Sequence, residues 1–529
     1  MENQEASQKD SFWVPLFVVV ICAFAAILNN SSINVALPKL MSIFGVSAND
    51  AEWILTAYML TSGIVIPVTG YLGDRLGTKR VYLLCTIIFT LGSVLCSLAW
   101  SNSSMVVARV VQGIGGGAMM PVSMTIVYRI VPREKIGLAL GFWGMAAVCG
   151  PAIGPTLGGY IVDHLNWRFL FSMNIPVCVI GIFLTHLLIP EGPLRKNLNF
   201  DLWGFISSTA GFFTLLLALS EGTSKGWGSS YIVSLFAFSF VALFLFVIVE
   251  LNHDQPMLDL RLFKSGIFSI SVVSGSLITV GLYGGVFLIP LFTQNLLRMT
   301  PFETGLLLMP AAIVTAIMMP ISGFLFDRFG AKIPALIGMI LTVWGTYEFH
   351  NLSLHTSNLT IILLAVIRSL GMGLAMMPIT TAGMNTVPVT QVGRASALNN
   401  VTRQVAGSFG IAILTAVMQN RQAFHYARLA EGLSNGSNAA SFLSQLKGYL
   451  SHAGVADAGN AAMSVLGGLV SQQAMIQAID DTFIVAALFI FIAIPLAFFL
   501  KKPVKKTEVP RAPKNALAGG GPAAPGSVG

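Results

Sequence analysis

Long apolar stretches, separated by short polar and often basic segments, form the dominant pattern of this 529-residue chain. Each stretch approaches the roughly 20 residues that a helix needs to cross the hydrocarbon core of a bilayer. The pattern therefore predicts an all-α, polytopic membrane protein with 14 transmembrane helices. The predicted spans cover approximately residues 13–36, 51–72, 81–99, 105–128, 137–161, 169–189, 202–220, 231–251, 268–292, 304–326, 333–349, 359–384, 401–419 and 482–500.

The composition favours lipid as the surrounding solvent. Hydrophobic residues make up 55% of the chain and charged residues 10%, whereas soluble globular proteins carry about 25% charged residues. The first stretch is too long for a cleaved signal peptide and lacks a strongly basic leader, so we interpret it as a retained helix. All 5 cysteines fall within predicted spans, which favours neither a disulfide framework nor a metal site.

The net charge of +8 is explained by its distribution between the loops. Of the 30 Lys and Arg residues, 20 lie on the side of the two termini and 7 on the opposite side, while Arg109, Arg368 and Arg403 lie within or at the edge of spans. Because short cytoplasmic loops carry the excess of basic residues, we expect both termini in the cytoplasm. The basic excess then reflects topology, and we expect no nucleic-acid partner.

An internal repeat divides the chain into two halves. The pattern G-x-L-x-D-R-x-G-x-K follows the second and the tenth predicted spans, and Arg109 with its glycine-rich sequence is echoed by Arg368 with its own. Spans 1–6 therefore correspond to spans 9–14, and spans 7 and 8 are an inserted pair. The repeated loop residues are Gly70, Asp74, Arg75, Gly77 and Lys79 in the first copy and Gly323, Asp327, Arg328, Gly330 and Lys332 in the second.

These halves predict the domain organisation. We expect a cytoplasmic N-terminus at 1–12, an N-terminal six-helix bundle at 13–190, a linker with the inserted helices at 191–267 and a C-terminal six-helix bundle at 268–500. An extracytoplasmic loop, rich in Ala, Ser, Gly and Asn and with or without short amphipathic helices, should occupy 420–480. Residues 501–529, which end in a Gly/Ala/Pro run, should form a disordered cytoplasmic tail.

The order of these motifs resembles the major facilitator superfamily, and specifically its fourteen-helix drug:proton antiporter branch of the EmrB/QacA type. The resemblance covers about residues 13–500. It rests on the loop around Asp74, on the string Arg109-Val-Val-Gln112-Gly113, on the run from Gly150 to Gly159 and on the string from Trp167 to Pro176. It implies two pseudo-symmetric six-helix bundles and, as the superfamily's usual state, a monomer.

The repeated loops are candidate gate elements. The resemblance implies that Asp74, with Arg75, Lys79 and Arg80 beside it, forms a latch that holds the cytoplasmic gate shut, with Asp327 and Arg328 as its mirror copy. A carboxylate of this kind could accept backbone N–H bonds from a helix N-terminus across the interface, with arginines neutralising it. The alternative is a tight turn with solvated charges.

Arg109 is the costliest residue to place in a membrane, since a guanidinium at mid-bilayer must face protein or water. The resemblance implies a role in proton transfer or in lining the cavity; the alternative is that it only bonds carbonyls of its own helix. Acids near the outer span ends could load protons from outside, and Glu52 and Glu348 are the leading candidates among them.

The fifth predicted span contains an antiporter motif, formed by Gly150, Pro151, Gly154, Pro155, Gly158 and Gly159. Glycines four residues apart let another helix approach closely, and each proline frees a carbonyl and bends the helix. We expect this run to seal the two halves together and to act as a bending element.

The first span departs from the family pattern. The family usually has Asp where this chain has Asn29, so proton coupling through this position and strong selection for cations are both in doubt. Polar, methionine and aromatic side chains suit variable amphiphilic ligands, although methionine stripes often form ordinary core. The cavity candidates are Asn29, Asn30, Asn34, Tyr58, Gln112, Met119, Met120, Trp143, Arg368, Met376 and Met377.

The sequence thus predicts a bacterial inner-membrane exporter that expels small hydrophobic or amphiphilic compounds in exchange for protons. A dedicated exporter or flippase of a lipid-like or anionic metabolite is the alternative. A membrane enzyme or a non-transporting sensor is more remote, because the sequence shows no catalytic cluster and no soluble signalling domain. The P-loop pattern of ATP-binding proteins is absent from the sequence, and no cofactor is expected.

Overall fold

Helices form every regular element in the described part of this computed structural model, which comprises residues 12–192, 194, 200–434, 437–455 and 457–500. The prediction of an all-α protein is confirmed. The predicted N-terminus, apart from Phe12, and the predicted tail at 501–529 lie outside the described residues. The helices are α1 (Trp13–Phe44), α2 (Ala48–Leu76), α3 (Thr78–Ser97), α4 (Asn102–Ile130), α5 (Ile136–His164), α6 (Phe169–Leu188, interrupted at Met173), α7 (Leu202–Lys225), α8 (Ser230–Asn252), α9 (Gly266–Asn295, with a π-helical turn at Gly284–Leu288), α10 (Pro301–Phe329), α11 (Lys332–Tyr347), α12 (Asn358–Met384), α13 (Val392–Ser434), α14 (Ser437–His452) and α15 (Ala458–Ala497).

Length and hydropathy identify 12 of the described helices as able to cross a membrane, and a thirteenth span if the bent α5 is included. The stretch predicted at 333–349 forms α11, which has 16 residues and continues into a 3₁₀ turn at Glu348–Asn351. The exact count of fourteen therefore stays a prediction.

Local signals explain where several helices begin and end. Ser101 and Ser104 form a capping box at the start of α4, and Thr300 and Glu303 form another at the start of α10, each satisfying backbone N–H groups that have no partner within the helix. Gly77 ends α2 with φ 90° and Gly330 ends α10 with φ 82°. A residue with a side chain is strained at such angles, which explains why glycine recurs in both copies of the loop.

The segment predicted as an extracytoplasmic loop at 420–480, with or without short helices, is largely helical, and its helices are long. α13 has 43 residues and α15 has 40, so both helices continue beyond the predicted spans, and α14 lies between them. Asp481 on α15 receives hydrogen bonds from Arg421 and His425 on α13, each at 2.6 Å. These contacts pin the two extensions together, and the alanine content of the segment signals helix propensity rather than a loop.

Among the described residues, the two halves share a hydrophobic core on one side of the molecule. This is the side that holds Phe12 and Leu500, which we call the terminal side. One cluster there joins residues of both halves, including Ile66 and Trp143 with Met377 and Leu398. On the opposite side, one core contains residues of the N-terminal half alone and another contains residues of the C-terminal half alone. The molecule is therefore closed on the terminal side.

The inserted helices pack along the seam between the halves. Leu216 of α7 joins a cluster with Leu60 of α2, while Leu215 and Leu219 of α7 pack against Ala412 of α13. α7 thus contacts both halves, and α8 packs on its outer face.

Candidate translocation pathway and gate

Asp74 lies at the junction of the two halves, at the end of α2. Arg394 Nε of α13 lies 3.5 Å from Asp74 Oδ2, and Arg129 Nη2 of α4 lies 3.9 Å from Asp74 Oδ1. The side chains of Asp74 and Arg394 are only 4% and 7% exposed. The carboxylate also faces the first turn of α13, whose helix dipole favours a negative charge there. Asp74 therefore ties α2 of one half to the start of α13 in the other.

Asp327 makes the mirror contact with a different chemistry. Its Oδ1 accepts a hydrogen bond from the backbone N–H of Gly137 at 3.0 Å, and its Oδ2 accepts one from Leu138 at 3.1 Å. Both donors belong to the first turn of α5, where backbone N–H groups have no helical partner. One latch therefore uses arginine side chains and the other uses backbone amides.

Glycine allows both crossings to be close. A Cβ atom at Gly70 would lie 3.1 Å from Cα of Arg394, and one at Gly323 would lie 3.0 Å from Cα of Leu138 and closer still to Gly137. The first glycine of each repeated loop thus lets α2 approach α13 and lets α10 approach α5.

The cations nearest to Asp74 in sequence have contacts of their own. Arg75 donates to the hydroxyl of Tyr71 at 2.6 Å, and Arg80 pairs with Glu191 at 2.9 Å. Arg328 lies over the ring of Phe329, and Lys79 belongs to the first turn of α3. Because successive residues on a helix point in different directions, the arginines paired with Asp74 come from α4 and α13.

Arg109 is completely buried in the N-terminal half. Every hydrogen-bond acceptor of its guanidinium in the described structure is neutral, and the ring of Tyr58 lies 4.2 Å from its Cζ. Asn29 in turn donates to the carbonyl of Leu170 at 2.9 Å, and Gln112 donates to Ser93 at 2.9 Å. The acceptors are Ile54 O (3.0 Å), Asn29 Oδ1 (3.2 Å), Gln112 Oε1 (2.6 Å) and Asn30 Oδ1 (3.0 Å).

Arg368 occupies the corresponding position in the C-terminal half but is held by the backbone. Its Nη2 donates to the carbonyls of Gly281 at 3.1 Å and Leu282 at 2.8 Å. Both carbonyls precede the π-helical turn of α9, where the helical hydrogen-bond register changes. The guanidinium fills the space that a side chain at Gly285 would need. Neither hypothesis for Arg109 anticipated this difference between the halves.

The glycines of α5 face α1 of the same half. A Cβ atom at Gly150 would lie 2.5 Å from Ile27 Cγ2, one at Gly154 would lie 2.5 Å from Ser31 Cβ, and one at Gly158 would lie 2.6 Å from the carbonyl of Ser32. Gly159 looks the other way, towards Phe302 of α10. The expected seal between halves therefore runs along a different face of α5, which includes Gly137 and Gly141.

The two prolines of this motif, Pro151 and Pro155, lie inside α5. The helix bends by 43° between Arg133–Pro151 and Ile153–His164. A proline removes one helical hydrogen bond and clashes with the carbonyl four residues earlier, which accounts for a bend at this point.

Several cavity candidates lie in packed interiors. Met119 is fully buried among residues of the N-terminal half, so it does not line a cavity between the halves in this state. Trp143 donates to Ser123 at 2.8 Å and lies with Met377 in the shared terminal-side core, against which Met120 also packs. These three residues close the pathway here. Met376 is 5% exposed and contacts Arg403.

The two acidic candidates for proton coupling belong to different halves of the molecule. Glu52 is in the exposed first turn of α2, and Glu348 accepts a hydrogen bond from Trp344 at 3.1 Å beyond the end of α11. Both lie on the side opposite the termini, away from the latches. Asn34 is exposed on α1 and is not brought to Arg109, unlike Asn29 and Asn30.

Sequence reasoning missed Arg129 and Arg394 as partners of Asp74, and it did not assign a function to Arg403. Arg394 follows Gly393 at the start of α13, which corresponds through the repeat to Gly137 at the start of α5. Aligning these two helix starts would have indicated the contact.

The family model for the Major Facilitator Superfamily matches residues 19–411. This chain belongs to that superfamily. It is therefore a multi-pass membrane transporter rather than an enzyme. This chain is 38% identical to YhcA of Bacillus subtilis (strain 168), an uncharacterised MFS-type transporter, and the match covers 95% of both chains. It is 32% identical to the multidrug transporter protein MdtP of the same organism, over 82% of this chain and 80% of MdtP.

Solved structures support the same fold. The structure of the proton:xylose symporter XylE bound to 6-bromo-6-deoxy-D-glucose matches with a TM-score of 0.57 at 14% sequence identity, over 91% of this chain and 96% of that one. At this identity the match concerns the fold alone.

Proposed function

We propose that this superfamily member is a multidrug exporter of the fourteen-helix drug:proton antiporter branch, which expels small amphiphilic compounds by alternating access. The observation that carries the proposal is its 32% identity to a protein named as a multidrug transporter, over 82% of the chain. The glycine-and-proline run of α5, which resembles the antiporter motif of that branch, supports the same function.

Alternating access requires that one side be closed while the other is open. The shared core and both latches close the terminal side, while the cores on the opposite side are separate. The excess of Lys and Arg in the loops on the terminal side supports a cytoplasmic location for that side, in a bacterial inner membrane. This conformation would then be the one that releases substrate outward.

Opening towards the cytoplasm requires both latches to separate. The Asp74 latch would lose a buried ion pair, and the Asp327 latch would lose two hydrogen bonds to backbone amides. Protons and substrate need only compete, directly or through conformation, for the exchange to be coupled. Glu52, Glu348 and Arg109 remain the candidates for proton coupling.

The test uses the purified full-length protein in liposomes that enclose a pH-sensitive dye. Cationic ethidium, neutral N-phenyl-1-naphthylamine and anionic 1-anilinonaphthalene-8-sulfonate are added in turn, and proton flux is recorded. Asp74→Asn should abolish the substrate-dependent flux, because the gate could no longer close. Glu134→Gln, which removes an exposed acid near α5, should leave it unchanged.

Proton flux that depends on a compound and on Asp74 would support antiport. Transport of a compound with no proton movement would overturn proton coupling but leave export intact. If no amphiphile moves, and labelled lipid crosses the bilayer faster than in protein-free liposomes, the multidrug proposal falls and a lipid flippase becomes the better explanation.

A further inference from the structure

Arg403 of α13 lies near mid-membrane depth, and both it and Arg368 of α12 lie beside residues 281–283 of α9. Arg368 follows the start of α12 at Asn358 by ten residues, and Arg403 follows the start of α13 at Val392 by eleven. Since the two helices run in opposite directions and each rises about 1.5 Å per residue, both arginines lie about 15 Å from a helix end. That is about half the thickness of a bilayer core.

The face of α13 that carries Arg403 also looks towards the N-terminal half. Ser396 lies seven residues earlier, two helical turns away, and therefore shares this face. Its hydroxyl donates to the carbonyl of Pro121 of α4 in the other half at 2.8 Å. Arg403 thus stands beside the interface between the halves, above the terminal-side closure.

The two arginines differ in how well they are satisfied. Arg368 is 6% exposed and donates to two carbonyls. Arg403 keeps part of its surface open, and its hydrogen-bond partner is the sulfur of Met376 at 3.9 Å, which is a weak acceptor. Tyr283 of α9 lies close enough to interact with it electrostatically.

Within the described residues, the ion pairs lie near the two ends of the molecule, at Asp74, Glu191 and Asp481. The membrane-buried arginines therefore have no carboxylate to balance them. A charge in the membrane interior is normally paired. A partly exposed arginine whose hydrogen-bond partner is a weak acceptor is thus a candidate site for an anion that comes from outside the chain.

We propose that Arg403 binds the acidic group of an anionic amphiphilic substrate, with Arg368, which lies against the same segment of α9, adding to the positive potential. This inference rests on the proposed function and names its substrate class. The partly exposed ring of Tyr283 offers apolar surface to the rest of the substrate. Because two cations lie here in a medium of low dielectric constant, the site favours anions over cations.

The charge of the substrate would also change the driving force. A membrane potential that is negative inside drives an anion outward. At equilibrium, each 100 mV raises the ratio of its outside to its inside concentration by about 50-fold. The membrane potential could therefore drive export of an anion bound at Arg403, without a proton-carrying carboxylate at mid-membrane.

The experiment compares two probes that differ by one sulfonate: anionic 1-anilinonaphthalene-8-sulfonate and neutral N-phenyl-1-naphthylamine. Transport is measured in liposomes with the full-length protein at a potential set by potassium and valinomycin. Arg403→Gln should raise the half-saturating concentration of the anionic probe at least 10-fold, as expected for loss of a direct charge contact, and should leave the neutral probe unchanged. Arg403→Lys, which keeps the charge, should retain most of the preference.

Arg428→Gln is the matched control, because Arg428 is an exposed arginine on the same helix. Thermal unfolding of each variant separates a folding defect from a binding defect. Equal effects of Arg403→Gln on both probes, or none on the anionic one, would overturn the inference. If wild type moves neutral or cationic probes but not the anionic one, this inference falls and export stands; if it moves none of them, the proposed function itself falls.

Discussion

Arg109 donates a hydrogen bond from Nη1 to Oδ1 of Asn29 at 3.2 Å, so the side chain of Asn29 holds the buried guanidinium through a neutral amide. The amide accepts this bond without neutralising the charge, and its own Nδ2 donates to Leu170. The N-terminal half therefore keeps a net positive charge in its interior.

Replacing Asn29 by Asp should make the protein accept cationic substrates more readily. The new carboxylate would form an ion pair with Arg109, which removes the net positive charge that repels cations. We expect Asn29→Asp to increase transport of ethidium about 10-fold, measured as fluorescence change in liposomes. Asn34→Asp adds the same charge to an exposed position of α1; an equal gain in that variant would contradict the explanation.

The Asp74–Arg394 contact should behave as a coupled pair. Asp74→Asn and Arg394→Gln should each favour opening of the terminal side, and the double variant should show less than the sum of the two effects, with a coupling of about 0.5–3 kcal/mol. Opening can be followed by maleimide labelling of Cys149, which is buried between α5 and α10 with its sulfur 4.0 Å from the carbonyl of Ala312.

Cys149→Ser supplies the background for this labelling, because four other cysteines are buried. Glu191→Gln breaks the exposed pair with Arg80, and we expect no change, since such pairs contribute about 0–1 kcal/mol. Additive effects of Asp74→Asn and Arg394→Gln would show that the two residues act separately.

The adjacent glycines Gly158 and Gly159 of α5 should differ sharply in how well they tolerate substitution. A Cβ at Gly158 would lie 2.6 Å from the carbonyl of Ser32, whereas one at Gly159 would lie 3.7 Å from the nearest atom, in Phe302. Gly158→Ala should lower stability by about 1–3 kcal/mol through overpacking and reduce transport, and Gly158→Leu should abolish transport. Gly159→Ala should be tolerated. Thermal unfolding measures the stability of each variant, and the liposome assay measures its transport. Normal transport by Gly158→Leu would disprove close packing of this glycine with α1.

Gly285 should be irreplaceable because Arg368 fills the space of its missing side chain. Gly285→Ala should destabilise the protein by about 1–3 kcal/mol. Gly275→Ala is the matched control on the same helix, since a Cβ there meets no neighbouring atom within 4 Å, and it should be neutral or stabilising by up to about 1 kcal/mol. Similar unfolding temperatures for the two variants would contradict this role of Gly285.

The helical fold and the repeat could be predicted because both are written in local patterns. Apolar runs of membrane-spanning length indicate helices directly, and the repeated glycines indicate special backbone angles, as at Gly77 and Gly330. The long-range partners could not be read in this way. Asp74 finds Arg394, which is 320 positions away, because two bundles dock, and its sequence neighbours Arg75 and Arg80 point elsewhere.

Two further features depend on packing that the local pattern does not contain. The segment at 420–480 lacks a membrane-like hydropathy, but a helix outside the membrane needs only helix propensity and a few contacts such as Arg421 with Asp481. Met119 could belong to a cavity wall or to ordinary core on sequence grounds, and it packs inward, because a pattern of residues does not distinguish a cavity wall from a core.

α13 makes three of these contacts along its length: Arg394 with Asp74, Arg403 with Met376, and Arg421 with Asp481. Its 43 residues contain no proline, so one rigid lever about 64 Å long joins the gate to the surface on the far side of the membrane. A fluorescent label on the far end of α13 would report the state of the Asp74–Arg394 contact from the opposite side of the membrane, and an antibody fragment that holds that end would stop transport without entering the space between the halves.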